Sequence, residues 1–198
     1  MPDRKLFCAI LIAVGIFGAS PAPARELASE VTELDHLPPL PGNFPVPNDP
    51  NMLFYLQRST NANTIVYAAN MLAQGQINPD TPVDAYWRRY SEQGQRRGLH
   101  FVERLLAFGV RAKPIAGRPN TFNADIAGYP ERSFSVEIGK AGNPEAVMMM
   151  GTRSARIVAA YLQLDEHGLI PSLIYCDIYG VDQSSGQVLK EHLVPKSD

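Results

Sequence analysis

Of 198 residues, two are cysteines, one is tryptophan and four are histidines. Cys8 sits inside the first apolar run and Cys176 in the strand-like stretch LIYCDIY, so a chain cleaved after that run keeps one cysteine and can form no internal disulfide. Cys176 reads as a buried strand residue. Zinc sites need cysteines or histidines in close sets, and none occurs, so neither a metal nor another cofactor is expected. No GxSxG, Walker-type loop, dinucleotide glycine pattern or HExxH is present, and no catalytic set can be assigned. Long apolar runs are scarce as well. The one at Leu6–Ala19 is short of the roughly 20 residues a membrane-spanning helix needs.

That run follows Arg4 and Lys5 and precedes Ala22-Pro23-Ala24, small residues of the kind a signal peptidase reads. Residues 1–24 therefore read as a secretory signal peptide cleaved after Ala24, with a retained single-helix anchor as the alternative. The expected location is periplasmic or secreted. Without the leader the cations fall to 16 and the carboxylates to 19, a charge of −3 that argues against a nucleic-acid partner. The charge is uneven: from Arg88 to Arg118 eight cations face only Glu92 and Glu103. Such a stretch either steers an anionic partner or pairs with the acidic remainder.

Residues 25–50 form an acidic and then proline-rich arm, with prolines at 38, 39, 41, 45, 47 and 50 that block both helix and ladder. Leu40, Phe44 and Val46 favour a strap laid over the domain rather than a bare tether. Residues 51–198 read as one β-rich domain. Its centre is LFYLQRSTNANTIVYAAN, two strands at about 53–59 and 64–70 around a polar turn. VDAYWRRY is a third strand and SEQGQRRG a polar loop. The one helix spans about 99–108, with Leu99, Val102, Leu105 and Leu106 at helical spacing for covering a sheet, and Gly109 suits a left-handed terminus. Short strands cut by turns follow to the end, with Gly186 in a hairpin loop. The fold expected is mainly β: an antiparallel meander of about eight or nine strands closing into a barrel or sandwich. A two-layer α+β sheet is the alternative.

The candidate ligand-binding set joins polar groups to aromatics: Tyr55, Arg58, Asn61, Asn63, Tyr67, Asn70, Tyr86, Trp87, Arg88 and Glu137. A flat apolar wall with a few convergent hydrogen-bonding groups suits a small lipid, a sugar or an anionic envelope molecule. Such a module would hold its ligand in a barrel mouth lined by Tyr55, Tyr67, Tyr86, Trp87 and Arg88. The competing reading pairs Arg58 and Arg88 with Glu137 or Asp177 and leaves the aromatics as core. A second functional class is a hydrolase of an envelope polymer, using Glu137, Asp177 or His192 as acid or base.

The stretch Phe44 to Gly109, with its elements FPVPNDPNMLFYLQRSTNANTIVYAAN, PVDAYWRRY and the helix end VERLLAFGV, carries a resemblance that extends through VDQSSGQVLKEHLVP. In them the chain resembles a family of exported bacterial proteins, domain-of-unknown-function family 4833. The resemblance implies a single exported domain and carries over no catalytic residue.

Overall fold

A computed structural model of the chain describes residues 37–167 and 171–195. The expected signal peptide and the acidic residues up to 36 lie outside the described residues. Eleven strands make one sheet: β1 (Met52–Arg58), β2 (Asn61–Ala69), β3 (Val83–Arg89), β4 (Gln95–Gly98), β5 (Val110–Pro114), β6 (Phe122–Ile126), β7 (Tyr129–Ile138), β8 (Pro144–Met150), β9 (Arg153–Asp165), β10 (Ser172–Asp182) and β11 (Val188–Leu193). One helix, α1 (Phe101–Leu106), and a 3-10 turn at Tyr90–Glu92 complete the regular structure among the described residues. The protein is mainly β, and no described helix is long and apolar enough to cross a membrane.

The architecture follows from the length of β9. Its 13 residues outrun the seven of β8, which pairs only with Arg153–Arg156. The exposed remainder of that edge would be left with unpaired backbone groups, and β1 fills it from Ala159 to Leu162. β10 covers the other edge of β9 from Ala155 to Asp165 and carries β11. Two arms thus leave one edge of β9, β1–β2–β3–β4 and β8–β7–β6–β5, and curl towards each other into a half-barrel. Their inner faces share one core: Phe54 on β1 stacks on Tyr67 of β2 at 4.5 Å and meets Phe134 of β7 edge-on at 5.4 Å. Ile65, Val136, Ala124 and Ala146 fill the space around them with no exposure beyond a trace. The interior of the half-barrel is therefore packed with side chains.

Four details differ from the sequence expectation. There are eleven strands rather than eight or nine; β4 lay in the supposed loop SEQGQRRG because all four of its residues are exposed, leaving no apolar pattern. The sheet is not a pure antiparallel meander, since β1 and β9 run parallel. The hairpin turn is shorter than expected: only Ser59 and Thr60 lie between the paired residues Arg58 and Asn61. Finally, α1 spans six residues, and Val102, Leu105 and Leu106 face outwards instead of covering a sheet. Leu99 and Phe108, just outside the helix, provide its burial. Gly109 does not take a positive φ; it is needed because a Cβ there would lie 2.0 Å from the Arg104 carbonyl oxygen. Gly186 does adopt the left-handed conformation, at φ 71°.

Candidate functional site

Alternation along the strands divides the sequence-predicted residues between the two faces of the sheet. Phe54, Leu56, Tyr67 and Trp87 join the inner core, whereas Tyr55 and Tyr86 pack in separate clusters on the outer face. Tyr55, Tyr86 and Arg88 thus do not share a mouth with Tyr67 and Trp87.

On the outer face the proline-rich arm is a strap. Leu40 packs against Tyr55, Tyr161 and Tyr179, and Gln57 donates from Nε2 to the Pro45 carbonyl at 3.1 Å. Leu37, Pro39, Phe44, Tyr55 and Gln57 help to line a cavity of about 100 Å³ beneath it. This is well below the several hundred Å³ typical of small-molecule sites. Of the three apolar residues expected to hold the strap, Leu40 is buried, Phe44 half-buried and Val46 exposed. The strap is pinned at its far end by Asp49. Its carboxylate, with a side chain only 3% exposed, accepts from Tyr86 Oη at 2.9 Å and from the fork of Arg88, whose Nε lies 2.9 Å from both oxygens. Arg88 Nη1 also donates to the Gly94 carbonyl at 3.0 Å, and the Arg96 guanidinium stacks 3.7 Å above the Tyr86 ring. Burial and then the Asp49 hydrogen bond push the Tyr86 hydroxyl well above its ordinary pKa. Tyr86 and Arg88 are therefore engaged in fastening the strap.

The asparagines serve turns. The Asn61 Oδ1 accepts from the Asn63 amide at 3.0 Å, Asn63 Oδ1 accepts from both the amide and hydroxyl of Ser91, and Asn70 Nδ2 donates to the Thr81 carbonyl at 2.7 Å. Glu137 is held by Arg118 at 2.6 Å. Arg96–Asp84 and Arg111–Asp125 pair in the same way, so much of the arginine-rich stretch is neutralised by the acidic remainder.

Arg58 and Trp87 remain, and they meet. The Arg58 guanidinium lies 4.6 Å over the Trp87 ring, at the end of the half-barrel under α1. Trp87 is fixed from two directions: Phe108 packs edge-on at 5.7 Å, and Nε1 donates to Glu103 Oε2 at 3.2 Å. The same Glu103 oxygen accepts from the His100 amide at 2.8 Å, closing the first turn of α1. Arg58 is stacked but makes no hydrogen bond or ion pair among the described residues, and its Nε is buried without a partner. Burial pushes the guanidinium down to about 10; Glu103 and Glu166 oppose that shift, while Arg89 adds to it. Arg89 carries a second buried, unpartnered Nε, although its Nη2 reaches Glu92 at 2.5 Å. Two cations with unused donors thus converge where one strand end, one indole and one helix meet. Sequence reasoning missed Asp49, Arg89 and Glu103. A carboxylate between prolines in NDPN was the one signal for the first; the other two looked like solvated charge.

Of the three hydrolase candidates, Glu137 lies on β7, away from the other two, and Asp177 and His192 meet across β10 and β11. Asp177, buried, accepts from Lys190 Nζ at 2.9 Å and meets His192 Nδ1 at 2.6 Å. Burial opposes ionisation of Asp177, but Lys190 and His192 outweigh it and hold the carboxyl below its ordinary value. A depressed folded pKa means stability that is present above the unfolded value near pH ~4 and lost as pH falls through the folded value. Acid titration followed by circular dichroism should therefore show a steeper loss below that point in the natural chain than in Asp177→Asn. Equal slopes would remove the pairing. Cys176 beside it packs towards the inner core, and burial pushes its thiol up to about 12, so it is protonated at neutral pH. Among the described residues no group of three metal-ligating side chains is found.

Residues 54–192 match the family described as Domain of unknown function (DUF4833). The chain belongs to this family. The match begins inside β1 and ends inside β11, so the family 4833 domain here is the whole half-barrel, including Arg58, Trp87, Arg88 and Asp177, while the strap and Asp49 precede it. No curated protein and no solved structure matches the chain.

Proposed function

We propose that this chain is a binding or accessory module for a small anionic molecule, held at the end of the half-barrel by Arg58 and Trp87. The observation that carries this reading is the Arg58 guanidinium, stacked on an indole with a buried Nε that has no acceptor. A buried cation without an acceptor is costly, and a planar fork of donors matches a carboxylate, phosphate or sulfate oxygen pair. Arg89 adds a second cation beside it, and the Trp87 ring holds the Arg58 guanidinium in place. The leader-like first 24 residues support export, with the bacterial periplasm as the location and a component of the cell envelope as the ligand class. The hydrolase alternative draws on the Asp177–His192 pair, with Glu137 engaged by Arg118.

Trp87 is the only tryptophan, so its emission reports on this site alone. Titration with inorganic phosphate, sulfate, acetate and sugar phosphates should produce saturable quenching for at least one anion, weakened by added salt. Uncharged sugars of the same size should give less. An emission spectrum unchanged by every anion, together with native mass spectra showing an empty protein from its own host, would overturn the reading.

A further inference from the structure

The short helix sets up a second surface, independent of the Arg58 site. Among the described residues nine large apolar side chains are exposed, and four of them lie in α1: Phe101 at 76%, Leu105 at 57%, Val102 at 48% and Leu106 at 37%. Phe101 and Leu105 are one turn apart and so stand side by side. No residue of α1 is buried. The helix is held by its flanks, Leu99 and Phe108, and by Glu103 turned inward to Trp87, so its apolar side chains are presented rigidly to the outside. Side chains of this size exposed in a cluster mark an interaction surface.

The surroundings select the occupant. Between Gln95 and Lys113 the cations Arg96, Arg97, Arg104, Arg111 and Lys113 face a single carboxylate, Glu103, which is engaged inward. Arg96 and Arg111 are paired with Asp84 and Asp125, but Arg97, Arg104 and Lys113 form no ion pair among the described residues, and Arg97 lies 3.2 Å from His100 Nε2. A small apolar tip flanked in the chain by exposed cations that form no ion pair among the described residues is what an anionic bilayer takes up: the tip enters the interface and the cations meet the lipid phosphates. We infer that α1 is a membrane-docking tip, which seats the protein on an anionic lipid surface through Phe101, Val102 and Leu105 with Arg97, Arg104 and Lys113 as its rim.

The test places an environment-sensitive fluorophore at Val102→Cys in the full chain with Cys8→Ser and Cys176→Ala, and a control label at Lys140→Cys on the exposed β7–β8 turn. Vesicles of phosphatidylglycerol mixed with phosphatidylcholine should shift the emission at 102 to the blue and leave that at 140 unchanged. Phosphatidylcholine alone should do little, and added salt should reverse the shift. Phe101→Ser with Leu105→Ser should reduce partitioning at site 102 by about tenfold or more, since two large apolar side chains no longer leave water. Because these side chains are exposed, the double substitution leaves the core intact. No blue shift at 102 with anionic vesicles, equal shifts at both positions, or persistence in the double variant would each overturn the inference. So would a shift that needs no vesicles: one that grows with protein concentration makes a second copy of the chain the occupant, and one independent of concentration makes it a segment of the same chain. Trp87 quenching by small anions is read without vesicles, so either reading can fail alone.

Discussion

Replacing Arg88 by alanine is expected to lower unfolding free energy by about 3 kcal/mol, because it strands a buried carboxylate. The Asp49 side chain is 3% exposed and its partner guanidinium 28%, so the pair is shielded on one side and partly wetted on the other. Alanine leaves Asp49 with the Tyr86 hydroxyl as its remaining side-chain donor and also frees the Gly94 carbonyl. The loss should exceed that of the paired variant Asp49→Asn with Arg88→Met, in which no charge is left without its partner. Denaturant midpoints of the three proteins give the order directly. A second signature is local: with the clamp open, the strap from Leu37 to Asp49 should become a site of proteolytic nicking while the half-barrel survives. A midpoint within about 0.5 kcal/mol of the natural protein, in the range of ordinary surface substitutions, would show that the clamp does not form.

Arg58→Met should act in the opposite direction. Burial that lowers a guanidinium from its ordinary value to about 10 corresponds to roughly 3 kcal/mol against its charged form. Stacking on Trp87 returns only about 0.5–2 kcal/mol. The cation therefore destabilises the unliganded protein on balance, and methionine, which packs well against an aromatic ring, removes the cost. An increase of about 1–3 kcal/mol in unliganded stability is expected, together with loss of anion-dependent quenching of Trp87. The combination matters because it separates a residue kept for binding from one kept for folding. If Arg58→Met instead unfolds the chain, the guanidinium is paired in solution with Glu103 or Glu166, and the anion site does not exist. The contrast with Arg88 is informative, since both arginines lie in the central strands and look alike in sequence. One is answered by a carboxylate 39 residues away, and the other meets an indole and no acceptor.

The two residues also show how far the candidate site was legible. Arg58 and Trp87 were singled out together with eight others, on residue type and strand position, and geometry alone separated them. The asparagines were equally compatible with turns, and that is where Asn61, Asn63 and Asn70 lie. The helix was legible as a helix, but the direction of its apolar stripe was not. Periodicity gives a face without giving what stands opposite, and a six-residue helix anchored at both ends by Leu99 and Phe108 has no need to bury its own stripe.

By itself the sequence determined what depends on neighbours along the chain. Proline density made 38–50 extended, bulky and β-branched runs made the strands, and glycine placed the turn at 186. The tally of chemistry-bearing residues held no zinc-type cysteine or histidine set and assigned no catalytic motif. Only the tertiary structure decided what depends on residues distant in sequence: that β1 runs parallel to β9, that the strap is clamped through Asp49 to Arg88 and Tyr86, and that Arg58 ends on Trp87 under α1. The physical reason is that backbone propensity and alternation are local, whereas the pairing of an edge, an ion or a donor is settled by whichever distant group the curl of the sheet brings within hydrogen-bonding distance.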